Sequence, residues 1–175
     1  MMDGSERIRR KDNGIMCKKY EFTGETKIFE CITLHRIRAI RSFGNVKSGD
    51  IGGWIENQIN LDQESDAWVY DNAWVYGDAL VSGDARVSGD ALVFGDARVF
   101  NIKDIMSISC IGSRYGTTTI FKNKSGSLSV SCGCFYGTID EFSNKVKETH
   151  GDSKFWREYI AMIEMANIHF EEESK

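Results

Sequence analysis

Six hexapeptides follow one another without a gap from Ser65 to Phe100, and this repeat constrains the fold more than any other feature of the sequence. They read SDAWVY, DNAWVY, GDALVS, GDARVS, GDALVF and GDARVF. Alanine holds the third position of every hexapeptide and valine the fifth. Because side chains alternate between the two faces of a strand, each alanine and the following valine face the same way. Glycine, asparagine and aspartate dominate the first two positions and tolerate the left-handed backbone angles of sharp corners.

The six-residue period limits how these repeats can fold. An α-helix is excluded, because a period of six drifts around a turn of 3.6 residues. A meander of hairpins is disfavoured, because its strands would be too short and its turns too regular. We therefore predict that the repeats coil, so that equivalent positions stack and each coil covers its neighbour. The chain has no proline, which fits a coil whose backbone N–H groups are all needed for pairing.

Charge is distributed unevenly along the chain. Residues 1–50 carry 11 Lys and Arg against 7 Asp and Glu, residues 51–101 carry 2 against 9, and residues 102–175 carry 9 against 10. The acidic middle repels nucleic acid, so we expect contact with nucleic acid only through the basic N-terminal third. No apolar run approaches the ~20 residues of a membrane span, and no signal-peptide pattern is present. We expect a cytoplasmic protein, not bound to a membrane, whose five cysteines are reduced.

The segment before the repeats is predicted to contain a mobile arm, residues 1–15, and a small β domain, residues 16–53. The stretches KYEF and TKIFECITLHRIRAIRSF are rich in β-branched and aromatic residues, and Thr23-Gly24-Glu25 between them is interpreted as a turn. Arg36, Arg38 and Arg41 interleave with apolar residues. This pattern indicates a basic edge or face of a sheet, which either protects that edge or faces a ligand.

The segment after the repeats, residues 105–175, is predicted to be an α+β domain with two helices. MSISCIGS, TTTIFK and SLSVSCG are typical of strands. The sequence TIDE at 138–141 is a capping box and predicts a helix to about Thr149. Asp152 or Ser153 then caps a last helix that ends near Phe170. Its apolar stripe is interpreted as core packing and consists of Phe155, Tyr159, Met162, Ile163, Ala166 and Phe170.

The run GDARVSGDALVFGDARV resembles the hexapeptide-repeat, left-handed β-helix class of proteins. SGDIGGWIENQINL leads into it, and IGSRYGTTTIFKNKSGSLSVSCGCFYGTIDEFSNKVKETHG follows it. With these flanks, the chain from Cys17 to Phe170 is similar to small proteins encoded by bacteriophages and prophages of Gram-positive bacteria. The resemblance implies a mainly β fold. Residues 54–104 would form a short left-handed β-helix between the β N-terminal domain and the α+β C-terminal domain.

In that class three hexapeptides make one coil, which implies that positions 18 apart stack, such as Trp68 over Arg86. The fourth and sixth positions of each repeat then point outward and create an unusually apolar surface. The flanking domains, a second subunit or a target could cover it. We expect a homo-oligomer, a dimer or a trimer. The residues expected to bind a partner, on this surface and on the basic strand, are Trp68, Tyr70, Trp74, Tyr76, Arg86, Arg98, Arg36, Arg38 and Arg41.

Acyltransferases of the hexapeptide class use a histidine on a coil as general base, with acetyl-CoA lying between adjacent subunits. The three histidines of this chain, His35, His150 and His169, all lie outside the repeats. The three-histidine zinc site of the carbonic-anhydrase version of the fold is missing from the repeats for the same reason. The sequence therefore predicts no catalytic residue, no cofactor and a protein that is not an enzyme.

Two groups outside the repeats carry residues suited to chemistry. Ser113 and Arg114, which follow Gly112 in a turn, and Thr117, in the strand after it, form the candidate site for a phosphate or carboxylate of a small ligand. The second group could supply a Cys₃His zinc site, but packing of small thiols on one strand face is the preferred interpretation, so no metal is predicted. A cysteine nucleophile of this group with its histidine as base lacks an orienting residue in the sequence. The group consists of Cys110, Cys132, Cys134 and His150.

The function predicted from the sequence is that of a non-catalytic binding or assembly module, encoded by a phage. It would act by binding a host macromolecule, a protein or ribonucleoprotein, in the host cytoplasm. Inhibition of a host defence system is the role that the family context suggests. Two alternatives stay open, an acyltransferase-like hexapeptide enzyme and a nucleotide-sequestering protein.

Overall fold

The computed structural model describes residues 18–171, and the predicted mobile arm lies outside them. The described part is mainly β, with several sheets and two helices. The strands before and within the repeats are β1 Tyr20–Phe29, β2 Ile32–Ala39, β3 Ile51–Ile55, β4 Trp68–Val69, β5 Trp74–Val75, β6 Leu80–Val81, β7 Arg86–Val87, β8 Leu92–Val93 and β9 Arg98–Val99. After them come β10 Ile105–Ile111, β11 Gly116–Lys122, β12 Leu128–Cys132, β13 Phe135–Thr138, α1 Ile139–His150 and α2 Lys154–Phe170.

The repeats form six two-residue strands, each paired in parallel with the strand 18 residues away. Strand β4 pairs with β7, β5 with β8, and β6 with β9. These three pairs belong to three different sheets, so three consecutive hexapeptides pass through all three sheets before the chain returns to the first. The pairing confirms the 18-residue register that the resemblance to the hexapeptide class implied.

The alanines and valines of the repeats fill a narrow interior. All twelve side chains are at most 1% exposed. Neighbouring coils are joined by backbone hydrogen bonds such as Trp68 N to Ala85 O at 3.0 Å and Trp74 N to Ala91 O at 2.9 Å. The corners at four glycines have a positive φ of 66°, the left-handed region that the hexapeptide pattern predicts there, at Gly77, Gly83, Gly89 and Gly95.

One irregular coil precedes the six repeats, although its sequence does not follow the hexapeptide pattern. Strand β3 pairs in parallel with β5, with Trp54 beside Trp74. The side chain of Asn60 is fully buried and donates hydrogen bonds to the carbonyls of Gly77 and Ala79, at 2.9 and 2.8 Å. A side-chain amide thus supplies donors that a regular coil would supply from its backbone.

The N-terminal hairpin differs from the prediction in two places. The predicted turn at residues 23–25 is wrong, because these residues lie inside β1, where a register shift between Phe22 and Thr26 absorbs them. The chain instead reverses at Glu30 and Cys31, with Glu30 at φ 52°. Strand β2 pairs with β1 on one side and β3 on the other, so its arginines do not lie on a sheet edge.

The C-terminal domain is a four-stranded antiparallel sheet, β10-β11-β12-β13, packed against α1 and α2. The predicted capping box is confirmed, because the Thr138 hydroxyl accepts from the N–H of Glu141 while the Glu141 carboxylate accepts from the N–H of Thr138. Ser153 caps α2. Strand β13 was not predicted. Neither helix in residues 18–171 is both long enough and apolar enough to cross a bilayer.

Strand β11 joins this domain to the repeats. Ile120 packs into the cluster that contains both helices, whereas Phe121, on the opposite face, packs into the core of the repeats. The N–H of Leu92 also donates to the Thr119 hydroxyl at 3.3 Å. The two units therefore meet along β11, and the space beside that junction becomes the candidate site.

Candidate active site

A cavity of about 860 Å³ lies between the repeats and the C-terminal domain. Trp74 and Leu92, on the outer face of the five-stranded sheet, line one wall. The opposite wall comes from the turn between β10 and β11, the end of β12 and helices α1 and α2. The volume of the cavity lies within the range of small-molecule sites.

The thiol of Cys132 lies in this cavity, held by two hydroxyl groups. Cys132 ends β12 and pairs in register with Thr118 of β11. The Thr118 hydroxyl donates to the sulfur at 3.1 Å, and the hydroxyl oxygen of Tyr159 lies 3.7 Å from it. Thr118 is 1% exposed and Tyr159 is 7% exposed, whereas Cys132 is half-buried. Two buried hydroxyls from a strand and a helix therefore fix a thiol that a ligand can reach.

Tyr159 connects this thiol to His150. The rings of Tyr159 and His150 stack, with centroids 5.9 Å apart and an angle of 24° between the planes. Phe142 meets the Tyr159 ring edge-on at 5.3 Å. Burial raises the pKa of Tyr159 above its usual range, and the hydrogen bond to Cys132 acts in the same direction. The phenol therefore keeps its proton near neutral pH and can donate it to the sulfur.

The turn at residues 112–115 and the start of β11 carry the predicted small-ligand residues, which line the same cavity as Cys132, Tyr159 and His150. Ser113, Arg114 and Thr117 all line the cavity, as the sequence analysis grouped them. Gly112 has φ 71°, and an added Cβ there would lie 2.0 Å from the hydroxyl oxygen of Tyr159. Only glycine allows the turn to approach Tyr159 so closely.

The cavity lining carries more positive than negative charge. Lys27, Arg114 and Lys145 line it, against one carboxylate, that of Asp90. Lys145 also forms an exposed ion pair with Glu148. Arg114 is close enough to Tyr159 that its charge opposes the rise in the pKa of that phenol. In a chain whose net charge is −4, this local excess of cations favours an anionic ligand.

The four residues considered as zinc ligands line the cavity but do not form a ligand set. The expectation that Cys132 and Cys134 share a strand face is wrong, because β12 ends at Cys132 and Cys134 lies in the two-residue turn before β13. Cys134 and Cys110 are exposed. Within residues 18–171 no group of three or more His, Cys, Asp or Glu side chains is arranged to hold a metal ion.

The aromatic residues predicted to bind a partner are largely covered by the same chain. Trp68 is 1% exposed and packs against Tyr20 and Phe43, so its expected position on the surface is corrected. The N-terminal hairpin covers the outward side of this coil. The repeat pattern carries no information about this contact. The others, which are half-buried, are Tyr70, Trp74 and Tyr76.

The arginines predicted to bind a partner mostly make contacts within the chain. Arg36 lies over the ring of Trp54, and Arg38 forms an ion pair with Glu21. Arg98 donates to the backbone carbonyls of Asp78 and Ala97. The remaining two differ in burial, since Arg41 is half-buried and donates to a backbone carbonyl, whereas Arg86 is exposed.

Sequence reasoning missed Tyr159 and Thr118 as members of the site. Tyr159 belongs to the helical apolar stripe, and its period predicts core packing, which it also provides. Thr118 is one of three consecutive threonines in a strand. No local signal distinguishes either residue, because their contacts with Cys132 join segments 14 and 27 residues apart.

Comparison with known proteins gives one informative similarity. No family model matches the chain. It is 34% identical over 62 residues to the Uncharacterized acetyltransferase YdcK of Escherichia coli (strain K12), a match that covers 31% of this chain. The chain spans only 19% of the length of that relative. This similarity overturns the expectation that the protein is not an enzyme, and it does not show the resemblance to phage and prophage proteins.

Proposed function

We propose that the protein is an acyltransferase-like enzyme that moves an acyl group from a thioester donor to an amine or hydroxyl acceptor. The observation that carries the proposal is the cavity in which Cys132, Tyr159, His150 and Arg114 meet beside the repeats. The similarity to a protein named as an acetyltransferase supports the same class of reaction. The reaction would take place outside the coil, since His150, the histidine that lines the cavity, belongs to the C-terminal domain.

Each part of the cavity has a distinct task in this proposal. Arg114, Lys27 and Lys145 bind the phosphate groups of a donor such as acetyl-CoA. Trp74 and Leu92 provide an apolar wall for the uncharged part of the donor. His150 takes the proton of the acceptor as its nitrogen or oxygen attacks the acyl carbon, because imidazole is the side chain most often used for this transfer.

The first experiment measures release of free thiol from acetyl-CoA in the presence of a panel of amines and alcohols. His150→Gln is expected to lower kcat by about 10²-fold or more, the usual range for loss of a general base. His169→Gln is the matched control, because His169 is exposed on α2 and does not line the cavity. Absence of thiol release by the wild-type protein with every acceptor would contradict the proposal, as would equal rates for the His150 variant and the wild type.

We also propose that the repeats form a left-handed β-helix. It is supported by the 18-residue register, the three sheets and the buried alanine and valine positions. Such a coil gives the cavity a rigid wall, because Trp74 and Leu92 are adjacent partners in one parallel ladder. An experimental structure that shows coils of the opposite hand would contradict this part.

Association with a second copy or with a macromolecular partner also remains a proposal. The hairpin covers Trp68 and so reduces the exposed apolar area on which the expectation of an oligomer or a partner depends. The outward residues that stay accessible on the repeats include Arg86 and Phe100, which is 45% exposed. Sedimentation at micromolar concentration tests self-association, and a monomer there would remove the dimer and the trimer.

A further inference from the structure

We propose that Cys132 is the nucleophile of this enzyme and carries the acyl group as a covalent thioester between the two halves of the reaction. The inference rests on the proposed function and adds a route to it, with two displacement steps in place of direct transfer from donor to acceptor. It is argued from the surroundings of the Cys132 sulfur.

Two buried hydroxyl groups lie within contact distance of the Cys132 sulfur. Thr118 donates its hydroxyl to Cys132, although it could instead have bonded to a backbone carbonyl. The hydroxyl oxygen of Tyr159 lies 3.7 Å from the same sulfur, and either atom could be the donor. Both side chains are more than nine-tenths buried, so neither hydroxyl can readily exchange this partner for water. A thiolate at Cys132 would accept both hydrogen bonds, and the thiolate is the form of cysteine that acts as a nucleophile.

Cys132 differs in location from the other cysteines of residues 18–171. Cys31, Cys110 and Cys134 are exposed, whereas Cys132 is half-buried and lines the cavity. Arg114 and Lys145 line the same cavity and would attract the phosphate groups of a donor to it. A thioester formed at this position is also shielded from bulk water, which limits its hydrolysis.

The chemistry balances in both steps. In the first, the sulfur of Cys132 attacks the carbonyl carbon of the donor, a new S–C bond forms at Cys132, and the S–C bond of the donor breaks. The departing sulfur leaves as a free thiol with the proton that Cys132 gave up, passed on by Tyr159 or His150. In the second, the acceptor attacks the acyl carbon, the Cys132 S–C bond breaks, and His150 returns the acceptor's proton to the thiolate. No oxidant or metal takes part.

The test combines rapid acid quenching with mass spectrometry of the full chain incubated with acetyl-CoA alone. We expect an added mass of one acetyl group on the peptide that contains Cys132, sensitive to neutral hydroxylamine and discharged when an acceptor is added. Cys132→Ser should lose both the adduct and the rapid first release of thiol. Cys31→Ser should keep both, because Cys31 does not line the cavity, and thermal unfolding shows whether each variant is folded.

The outcomes separate this inference from the proposed function. Thiol release that continues in Cys132→Ser, without an adduct in the wild type, would overturn the covalent route and leave acyl transfer standing. An acetyl group found on Cys110 or Cys134 in place of Cys132 would also overturn it. Absence of thiol release from the wild-type protein would overturn both. If Cys132→Ser does not fold, peptide mapping of the wild type still decides the matter.

Discussion

The hydroxyl of Tyr159 and the sulfur of Cys132 lie 3.7 Å apart although 27 residues separate them in the chain. The strand end that presents the thiol and the helix face that presents the phenol are brought together by the core of the C-terminal domain, which also contains Ile120 and Val130. The pair has a testable consequence, because burial raises the pKa of Tyr159 and keeps the phenol protonated as a donor.

Tyr159→Phe removes that donor while it preserves the ring. We expect a slower first release of thiol from acetyl-CoA, by about tenfold for the loss of one hydrogen bond to a charged group. Stopped-flow measurement of thiol release checks this expectation. A wild-type rate in a folded variant would assign Tyr159 to packing alone.

Gly83 and Gly89 provide a matched pair for the corners of the coil. Both have φ 66°, so alanine at either position bears the strain of a left-handed backbone, about 1–2 kcal/mol. An added Cβ at Gly83 would lie 1.8 Å from the carbonyl oxygen of Phe100, whereas at Gly89 nothing lies within 4 Å. Gly83→Ala should therefore cost about 1–3 kcal/mol more in the free energy of unfolding. If urea unfolding gives the same loss of unfolding free energy for Gly83→Ala and Gly89→Ala, successive coils are not so closely packed at Gly83.

Ala85 tests the narrow interior of the repeats. It is fully buried, and the coil leaves no room beside it for a longer side chain. Ala85→Leu should lower the free energy of unfolding by about 1–3 kcal/mol through overpacking. Arg86→Leu is the control, because Arg86 follows Ala85 in the chain but points outward and is exposed. We expect its free energy of unfolding to change by less than about 0.5 kcal/mol. A thermal transition of Ala85→Leu at the wild-type temperature would contradict the buried position.

Lys19 predicts an unusual dependence of stability on pH. Its side chain is buried and donates to the carbonyls of Ser65 and Ala67, at 2.8 and 2.7 Å. Burial lowers the pKa of Lys19 from 10.5 to about 8 in the folded state, partly opposed by the charge of Asp62. Between these two pH values the unfolded chain binds more protons than the folded chain, so stability increases with pH.

The corresponding measurement compares the wild type with Lys19→Met from pH 7 to about 10.5. The wild type should gain on the order of 3 kcal/mol relative to the variant over this range, and the gain should be lost as the pH falls through 8. Other titrating groups, including Tyr20, are common to both proteins and cancel in the difference. A constant difference between the two curves would mean that Lys19 keeps an ordinary pKa.

The sequence by itself determined the structure of the repeats and the caps of the helices. Alanine and valine recur every six residues, and each is buried where the period places it. The capping box of Thr138 and Glu141 likewise depends on residues three apart. These features were predictable because each is a local pattern whose physical cause, strand alternation or a free N–H at a helix start, acts over a few residues.

Only the tertiary structure decided what covers the repeats and what surrounds the side chains of the candidate site. Trp68 has an outward position in its hexapeptide, yet the hairpin buries it against Tyr20 and Phe43. The sulfur of Cys132 contacts the hydroxyls of Thr118 and Tyr159, which come from a neighbouring strand and the last helix. Such contacts follow from how whole elements pack around a shared core, and no periodicity or short motif in the chain encodes them.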